Sequence, residues 1–215
     1  MELVSIENSQ LIALFIAANP AGRPSVSYAV RLLVERYGFV GFPTKIDDLG
    51  GDSVGFREGA FQGKAIEIFN VHRDGIVVSA KAPTSLLDEF LDDLRKWMKA
   101  ELGLESVDTH GVDKNYESHI VVRTNAPILR ALDALAPIQE AMARSLKSAT
   151  KLDVVFHGAA LALGPDHSLI AGMKPIPFRL ERRAGLSFET GLYYSAAPLP
   201  TAEHIKVLER MERLA

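Results

Sequence analysis

The chain has 215 residues, of which 47% are hydrophobic and 24% are charged, and this length allows a sizeable core in one domain or in two subdomains of ~100 residues each. The chain contains no cysteine, which excludes disulfides, thiolate nucleophiles and Cys-ligated zinc or iron–sulfur sites. A net charge of −3 at pH 7 gives no bulk attraction to nucleic acid or to an anionic membrane.

The first apolar run, residues 11–18, follows the acidic residues Glu2 and Glu7. Eight apolar residues are too few to span a bilayer, and the acidic residues replace the basic region of a signal peptide. We interpret the run as a buried strand, with a short buried helix as the alternative that its periodicity leaves open. We therefore expect a cytoplasmic protein that does not contact membranes.

A helix and a hairpin are predicted next. Residues 25–37 carry apolar side chains at helical spacing, and Gly38 follows where a helix C-terminus favours glycine. Further along, the dipeptide Asp74-Gly75 separates two β-rich runs, which is a strong local signal for a β-hairpin.

A second helix is predicted after this hairpin and extends to about residue 101. Residues 85–88 resemble a capping box, and Gly103 can end the helix. Residues 104–118 are polar and are the predicted linker or crossover between two units.

Beyond this linker the order of elements begins again, with a predicted strand at residues 120–123 and Asn125 as the cap of a helix. Pro137 lies within that helix, where we expect a kink or a break. The apolar stripe of the helix consists of Ile128, Leu132, Leu135, Ile138, Met142 and Leu146.

The rest of the chain is predicted to be mainly strands. The runs 154–163 and 168–173 are separated by a Gly-Pro-Asp turn and predict a hairpin. Residues 176–183 alternate between apolar and charged side chains, which predicts a strand with one charged face. A strand over 188–195 and a closing helix over 201–214 follow.

One short motif occurs twice. The segments IVVSAKAPT (residues 76–84) and LYYSAAPLPT (residues 192–201) each predict an apolar strand, a Ser-Ala bend, a proline, and a threonine that opens an amphipathic helix. The repeated serine is better explained by the bend than by nucleophilic catalysis, because Ser195 lacks the flanking glycines of a nucleophile elbow.

Both halves follow the order strand, helix, antiparallel strands, helix. The sequence therefore predicts an α+β fold made of two similar units, 1–108 and 109–215, or one continuous domain with the same elements. The repeated motif predicts a pseudo-duplicated sheet with the helices packed on one face.

The six histidines do not form a metal-binding pattern such as His-x-x-x-His, and we expect no metal and no cofactor. His157 lies in the middle of a predicted strand, whereas His167 lies at the tip of the predicted hairpin. Because a strand rises about 3.3 Å per residue, the two are too far apart to share a metal ion. His157 is retained as a candidate binding residue.

Arginines are concentrated in the strand predicted over residues 176–183. Arg179, Arg182 and Arg183 could bind a phosphate, a carboxylate or an acidic partner bidentately. Strand alternation places Arg182 on the opposite face from Arg179 and Arg183. The alternative is a solvated face on which Glu181 pairs with its neighbours.

Two adjacent tyrosines complete the candidate set. Tyr193 and Tyr194 lie on opposite faces of one predicted strand, so at least one of them is near the surface or an interface. The candidate binding residues are Arg179, Arg182, Arg183, Tyr193, Tyr194 and His157.

These features favour a non-catalytic assembly or interaction protein that acts through sheet edges and an Arg/Tyr surface, with another protein or a second copy as its partner. One alternative is an enzyme or a small-ligand or nucleotide-binding protein with a site between the halves, using His157, Arg182, Arg183 or residues 108–119. A second alternative is nucleic-acid binding through the arginines together with Arg144, Lys147 and Lys151, which the sequence pI of about 6.1 disfavours.

Overall fold

The computed structural model describes residues 1–18, 25–45, 53–106, 112–183 and 185–215. In this part of the chain, an eight-stranded sheet is accompanied by four α-helices and a two-stranded ribbon. All neighbouring strands are antiparallel. The predicted α+β class is confirmed. None of the helices in these ranges is long and apolar enough to cross a membrane.

Each half contributes two α-helices and four strands of the large sheet, and the first half also contributes the two-stranded ribbon. The first half contributes β1 (Glu2–Leu14), β2 (Ala17–Ala18), α1 (Val26–Tyr37), β3 (Ser53–Phe61), β4 (Lys64–His72), β5 (Gly75–Ala80), α2 (Thr84–Leu102) and β6 (Glu105–Ser106). The second half contributes β7 (Asp113–Arg123), α3 (Ala136–Thr150), β8 (Ala160–Leu163), β9 (Phe178–Arg182), β10 (Leu192–Ala197) and α4 (Thr201–Leu214).

The strands of the large sheet follow the order β3-β4-β5-β1-β7-β10-β9-β8. Each half places its first long strand at the centre of this sheet, and its other three strands in the sheet follow in reverse chain order towards an edge. This matching order is compatible with a duplication, which stays a prediction because strand order does not establish common descent. The sheet continues from one half to the other through the β1–β7 pairing, and the predicted boundary at residues 108 and 109 lies outside the described residues.

Several local signals in the first half are confirmed. Ser25 Oγ accepts a hydrogen bond from the Tyr28 N–H at the start of α1, and the Gly38 N–H donates to the Val34 carbonyl at its end. The chain turns between β4 and β5 at Asp74-Gly75, as predicted. α2 ends at Leu102, and Gly103 follows in the left-handed conformation, with φ of 61°.

The two copies of the repeated motif meet at their threonines. The Thr84 N–H donates to Thr201 Oγ1 over 3.1 Å, and the Thr201 N–H donates to Thr84 Oγ1 over 2.9 Å. Each of the helices α2 and α4 is therefore capped by the first residue of the other. The predicted capping box at residues 85–88 is wrong, because α2 begins one residue earlier and has no side-chain cap of its own.

Helices α2 and α4 pack on the same face of the sheet. In the first half, Leu11 and Val78 are buried against Phe90 and Leu91 of α2. In the second half, Ile120, Leu180 and Tyr193 form a smaller core with Leu208 of α4. The strand predicted over residues 11–18 has different bounds in the structure. β1 begins at Glu2, because its N-terminal part pairs with β7, and it ends at Leu14, where its pairing with both β5 and β7 ends.

The predicted hairpin of residues 154–163 and 168–173 is wrong. Only Ala160–Leu163 form a strand, and this strand pairs with β9 because Leu161 then packs beside Leu180 in the core. Residues 167–169 form a 3-10 turn instead, because the Asp166 carboxylate accepts hydrogen bonds from the N–H and hydroxyl groups of Ser168.

Other elements of the second half also begin at residues different from those predicted. β7 begins at Asp113, inside the predicted linker, of which residues 107–111 lie outside the described ranges. β10 begins at Leu192, because residues 188–190 form a 3-10 turn. The break expected at Pro137 is confirmed: a 3-10 segment over Arg130–Leu135 precedes α3, with the proline in the first turn of α3.

Candidate functional site

The three predicted arginines do not form one surface. Arg179 is exposed on the face of the sheet opposite the helices. Arg182 is half-buried on the helix face, with its guanidinium 5.3 Å from the centre of the Tyr193 ring. Arg183 follows the end of β9, and its N–H donates to the Leu192 carbonyl. Strand alternation thus separates Arg182 from Arg179, as the sequence predicts.

The basic residues of α3 are also engaged locally. Lys147 contacts Asp153 over 2.7 Å, and Arg144 faces Glu140 over 3.6 Å within the same helix. Nucleic-acid binding would require a continuous basic surface. The separation of the arginines and the pairing of Arg144 and Lys147 with acidic residues interrupt such a surface.

The remaining predicted residues have different surroundings. Tyr193 is buried in the core of the second half, whereas Tyr194 lies half-buried on the opposite face. His157 is exposed on the irregular chain before β8, so its predicted place in the middle of a strand is wrong. These six residues therefore contribute to the core, to the open face and to the sheet edge rather than to one site.

A polar cluster that the sequence did not reveal lies around Tyr194. Its hydroxyl is 2.5 Å from His119 Nδ1, and His119 Nε2 is 3.7 Å from a carboxylate oxygen of Glu117. Burial, reinforced by the negative charges of Glu181 and Glu7, raises the pKa of Tyr194. Its phenol therefore stays protonated at neutral pH and is not an activated nucleophile.

A second polar cluster is fully enclosed between α4 and the sheet. His204 is 0% exposed, with Nδ1 2.6 Å from Ser118 Oγ and Nε2 2.8 Å from Ser195 Oγ. Burial, with a smaller contribution from the charge of His119, lowers the pKa of His204 to about 4. His204 is therefore neutral at physiological pH.

The hydrogen bonds of Ser195 define the roles of the two imidazole nitrogens. The Ser195 hydroxyl donates to the Arg179 carbonyl over 2.7 Å, so His204 Nε2–H must be the donor to Ser195 Oγ. Nδ1 then accepts from the Ser118 hydroxyl. Because Nε2 already carries a proton, His204 cannot act as a base towards Ser195. The arrangement joins α4 to β7 and β10 and is a core polar network.

The most unusual surface of the protein lies at the β8 edge. α3 buries no residue, and its apolar residues Ile138 and Met142 are exposed, as is Leu135 at the end of the 3-10 segment before the helix. Further exposed apolar residues lie on the chain that follows α3, among them Val155 and Leu163. We name Leu135, Ile138, Met142, Val155 and Leu163 the edge surface.

The parts of the edge surface are held together by contacts between α3 and residues 153–158. Besides the Lys147–Asp153 ion pair, the Gln139 amide, in the orientation that satisfies both bonds, donates to the Phe156 carbonyl over 3.2 Å and accepts from the Gly158 N–H over 3.3 Å. The chain after α3 thus runs alongside the helix and then enters β8, so the exposed apolar residues of both lie in one region.

The two edges of the sheet differ in protection. At the β3 edge, Arg57 and Gly41 exchange backbone hydrogen bonds of 2.7 and 3.2 Å, so a short stretch of chain covers part of the strand. At the other edge, no strand among the described residues pairs with the outer side of β8. An unprotected strand edge with apolar side chains is a template for pairing with another chain. In the sequence, the apolar run 154–163 was the signal for this edge strand. That signal did not indicate where in the sheet the strand lies.

The ranges described contain no group of three or more histidine and acidic side chains placed to hold a metal ion. No protein-family model matches the chain, and no curated protein matches it. Among the described residues, the edge surface is the strongest candidate for binding.

Proposed function

We propose that the protein is a non-catalytic assembly protein whose edge surface pairs with the same surface of a second copy. The observation that supports this most strongly is α3, a 15-residue amphipathic helix with no buried residue. Its Ile138 is 59% exposed and its Met142 is 49% exposed. Helices of this length are marginal in water unless their apolar face is packed, so covering this face would stabilise the helix.

The β8 edge is geometrically suited to a symmetric contact. Two antiparallel β8 strands related by a twofold axis perpendicular to the sheet would keep the helices of both copies on one side. In one such register, Leu161 lies opposite Leu163 of the second copy, and Ala162 lies opposite its own equivalent. Leucine would then pair with leucine on the helix face and alanine with alanine on the open face.

Charge does not oppose this contact. Residues 130–177 carry five basic and four acidic side chains, so two copies of this region meet without strong repulsion. Apolar residues exposed on the same region supply the driving force. Val155 is 77% exposed and Leu163 is 58% exposed, and burying a side chain of this size contributes about 1.5–3 kcal/mol.

The test is the molar mass in solution between micromolar and hundred-micromolar protein, measured by sedimentation and light scattering. We expect a dimer for the unmodified chain and at least about tenfold weaker association for Leu163→Lys and for Met142→Lys, because each replaces a buried apolar contact by a charge. Val40→Lys is the control, since Val40 is also an exposed apolar residue, 71% exposed, but lies in the first half.

Melting temperatures of the three variants, measured at protein concentrations where all are monomeric, check that the monomer fold is kept. A monomer throughout the concentration range would overturn the proposal. An equal effect of the control and the edge variants would overturn it as well, because the contact would then not involve the edge surface.

A further inference from the structure

A cavity of about 390 Å³ lies in the first half, between the chain that leaves β1 and the C-terminal part of α2. Its apolar lining includes Phe15, Met98 and Leu104. This volume is within the range of pockets that bind small organic molecules, about 300–1,000 Å³. The cavity is separate from the edge surface, all of whose residues belong to the second half.

The apolar lining is held in place by the backbone. The Phe15 N–H donates to the Asp74 carbonyl over 3.0 Å, and the Leu104 N–H donates to the Met98 carbonyl over 3.1 Å. The second bond, together with Gly103 in the left-handed conformation, closes the end of α2 and turns Leu104 back along the helix. The lining is therefore formed before a ligand arrives.

The charged lining of the cavity contains more basic than acidic side chains. Arg95, Lys96 and Lys99 contribute three positive charges, and Asp92 contributes one negative charge. The spacing of 92, 95 and 99 places these residues on one side of α2, because residues three and four apart are neighbours on a helix. Three of the four charged side chains that line the cavity are therefore basic.

Arg95 is the best placed of the three for binding. It is half-buried, and the ion pairs found between described residues do not include its guanidinium. A guanidinium binds a carboxylate through two parallel hydrogen bonds, and partial burial strengthens such a contact. The thioether of Met98 and the ring of Phe15 favour an aromatic group beside them.

We propose that this cavity binds a small aromatic carboxylate, with the ring against Phe15, Met98 and Leu104 and the carboxylate held by Arg95. The shape accounts for the apolar part of such a ligand, and the half-buried guanidinium of Arg95 accounts for its anionic group. Neither feature alone would select this class, because an apolar molecule gains nothing from the basic residues and a simple anion gains nothing from the ring contacts.

The test is calorimetric titration of the full-length protein with three probes. We expect 2-naphthoate to bind with one-to-one stoichiometry, and 2-naphthalenemethanol and acetate to bind at least tenfold more weakly. Arg95→Gln should weaken 2-naphthoate binding about tenfold to a hundredfold, as expected for a lost charge-assisted hydrogen bond. Arg210→Gln, at an exposed arginine of α4, is the matched control and should leave binding unchanged.

No binding of 2-naphthoate at millimolar concentration would overturn the proposal. Equal binding of the alcohol would show that the basic residues do not select an anion. Equal weakening by the two arginine variants would show that the site is not this cavity. Melting temperatures of both variants check that a loss of binding does not reflect a loss of fold.

Discussion

Acidification should destabilise the protein through His204, which is buried and neutral in the folded state. Its pKa is lowered from 6.5 to about 4 on folding, chiefly by burial. The unfolded chain therefore binds more protons than the folded chain between these two pKa values. The contribution of His204 to the free energy of unfolding is complete above pH 6.5 and is lost as the pH falls towards the pKa in the folded state.

The size of the effect follows from the same two pKa values. Between pH 7 and pH 4.5, a shift from 6.5 to about 4 removes about 2 kcal/mol from the free energy of unfolding. Carboxylates with lowered pKa values, such as those of Asp93 and Glu212, contribute mainly below pH 4.5, because their ordinary values are 3.8 and 4.5. The change in the free energy of unfolding between pH 7 and pH 4.5 therefore reports mainly on His204.

The assay is urea unfolding at several pH values in this interval, comparing the unmodified chain with His204→Gln. Glutamine can donate and accept hydrogen bonds near Ser118 and Ser195 but does not titrate. We expect the variant to be less stable at pH 7 and to lose about 2 kcal/mol less on acidification. His157→Gln removes an exposed histidine and is the matched control, for which the pH dependence should follow that of the unmodified chain.

Two results would refute this reasoning. If His204→Gln and the unmodified chain lose equal stability between pH 7 and pH 4.5, His204 does not supply the pH dependence. If the His157 control flattens the profile as strongly as His204→Gln, the effect does not depend on burial.

Two further perturbations test the fold. Thr84→Ala and Thr201→Ala should each cost about 1–2 kcal/mol in urea unfolding, because each leaves a buried helix N–H without its acceptor. The double variant should depart from their sum by more than about 0.5 kcal/mol, since the two bonds share one contact, and strict additivity would contradict this. Gly75→Ala should cost about 2 kcal/mol or more, because Gly75 has φ of 154° and a Cβ there would collide with the Ala13 carbonyl. Gly164→Ala, which has open space around it, should change the free energy of unfolding by less than about 0.5 kcal/mol, and equal costs at the two glycines would contradict the strain argument.

The sequence predicted the elements whose signals are local. Helix α1 follows from its apolar spacing between Ser25 and Gly38, and the β4–β5 hairpin follows from Asp74-Gly75. The alternation in β9 correctly separated Arg182 from Arg179. Helical spacing, caps and turn residues act over a few positions, so a single sequence contains them.

The candidate sites depend on contacts that no local signal specifies. His204 meets Ser118 across 86 positions, and His119 meets Tyr194 across 75 positions. The His119–Tyr194 contact requires the β7–β10 register, which is determined by which faces of the strands can be buried together. The His204–Ser118 contact requires α4 to pack on β7. The cavity likewise combines the chain after β1 with one side of α2.

The edge surface shows where sequence and structure diverge most. The pattern of α3 predicted an amphipathic helix, and the sequence alone determined that the apolar face exists, because helical periodicity is a property of neighbouring residues. Only the tertiary structure decided that this face lies outside the core, since β8 pairs with β9 and leaves α3 beside the edge of the sheet. Local pattern therefore determines which side chains share a face, and non-local strand pairing determines which faces are buried and which remain available to a second chain.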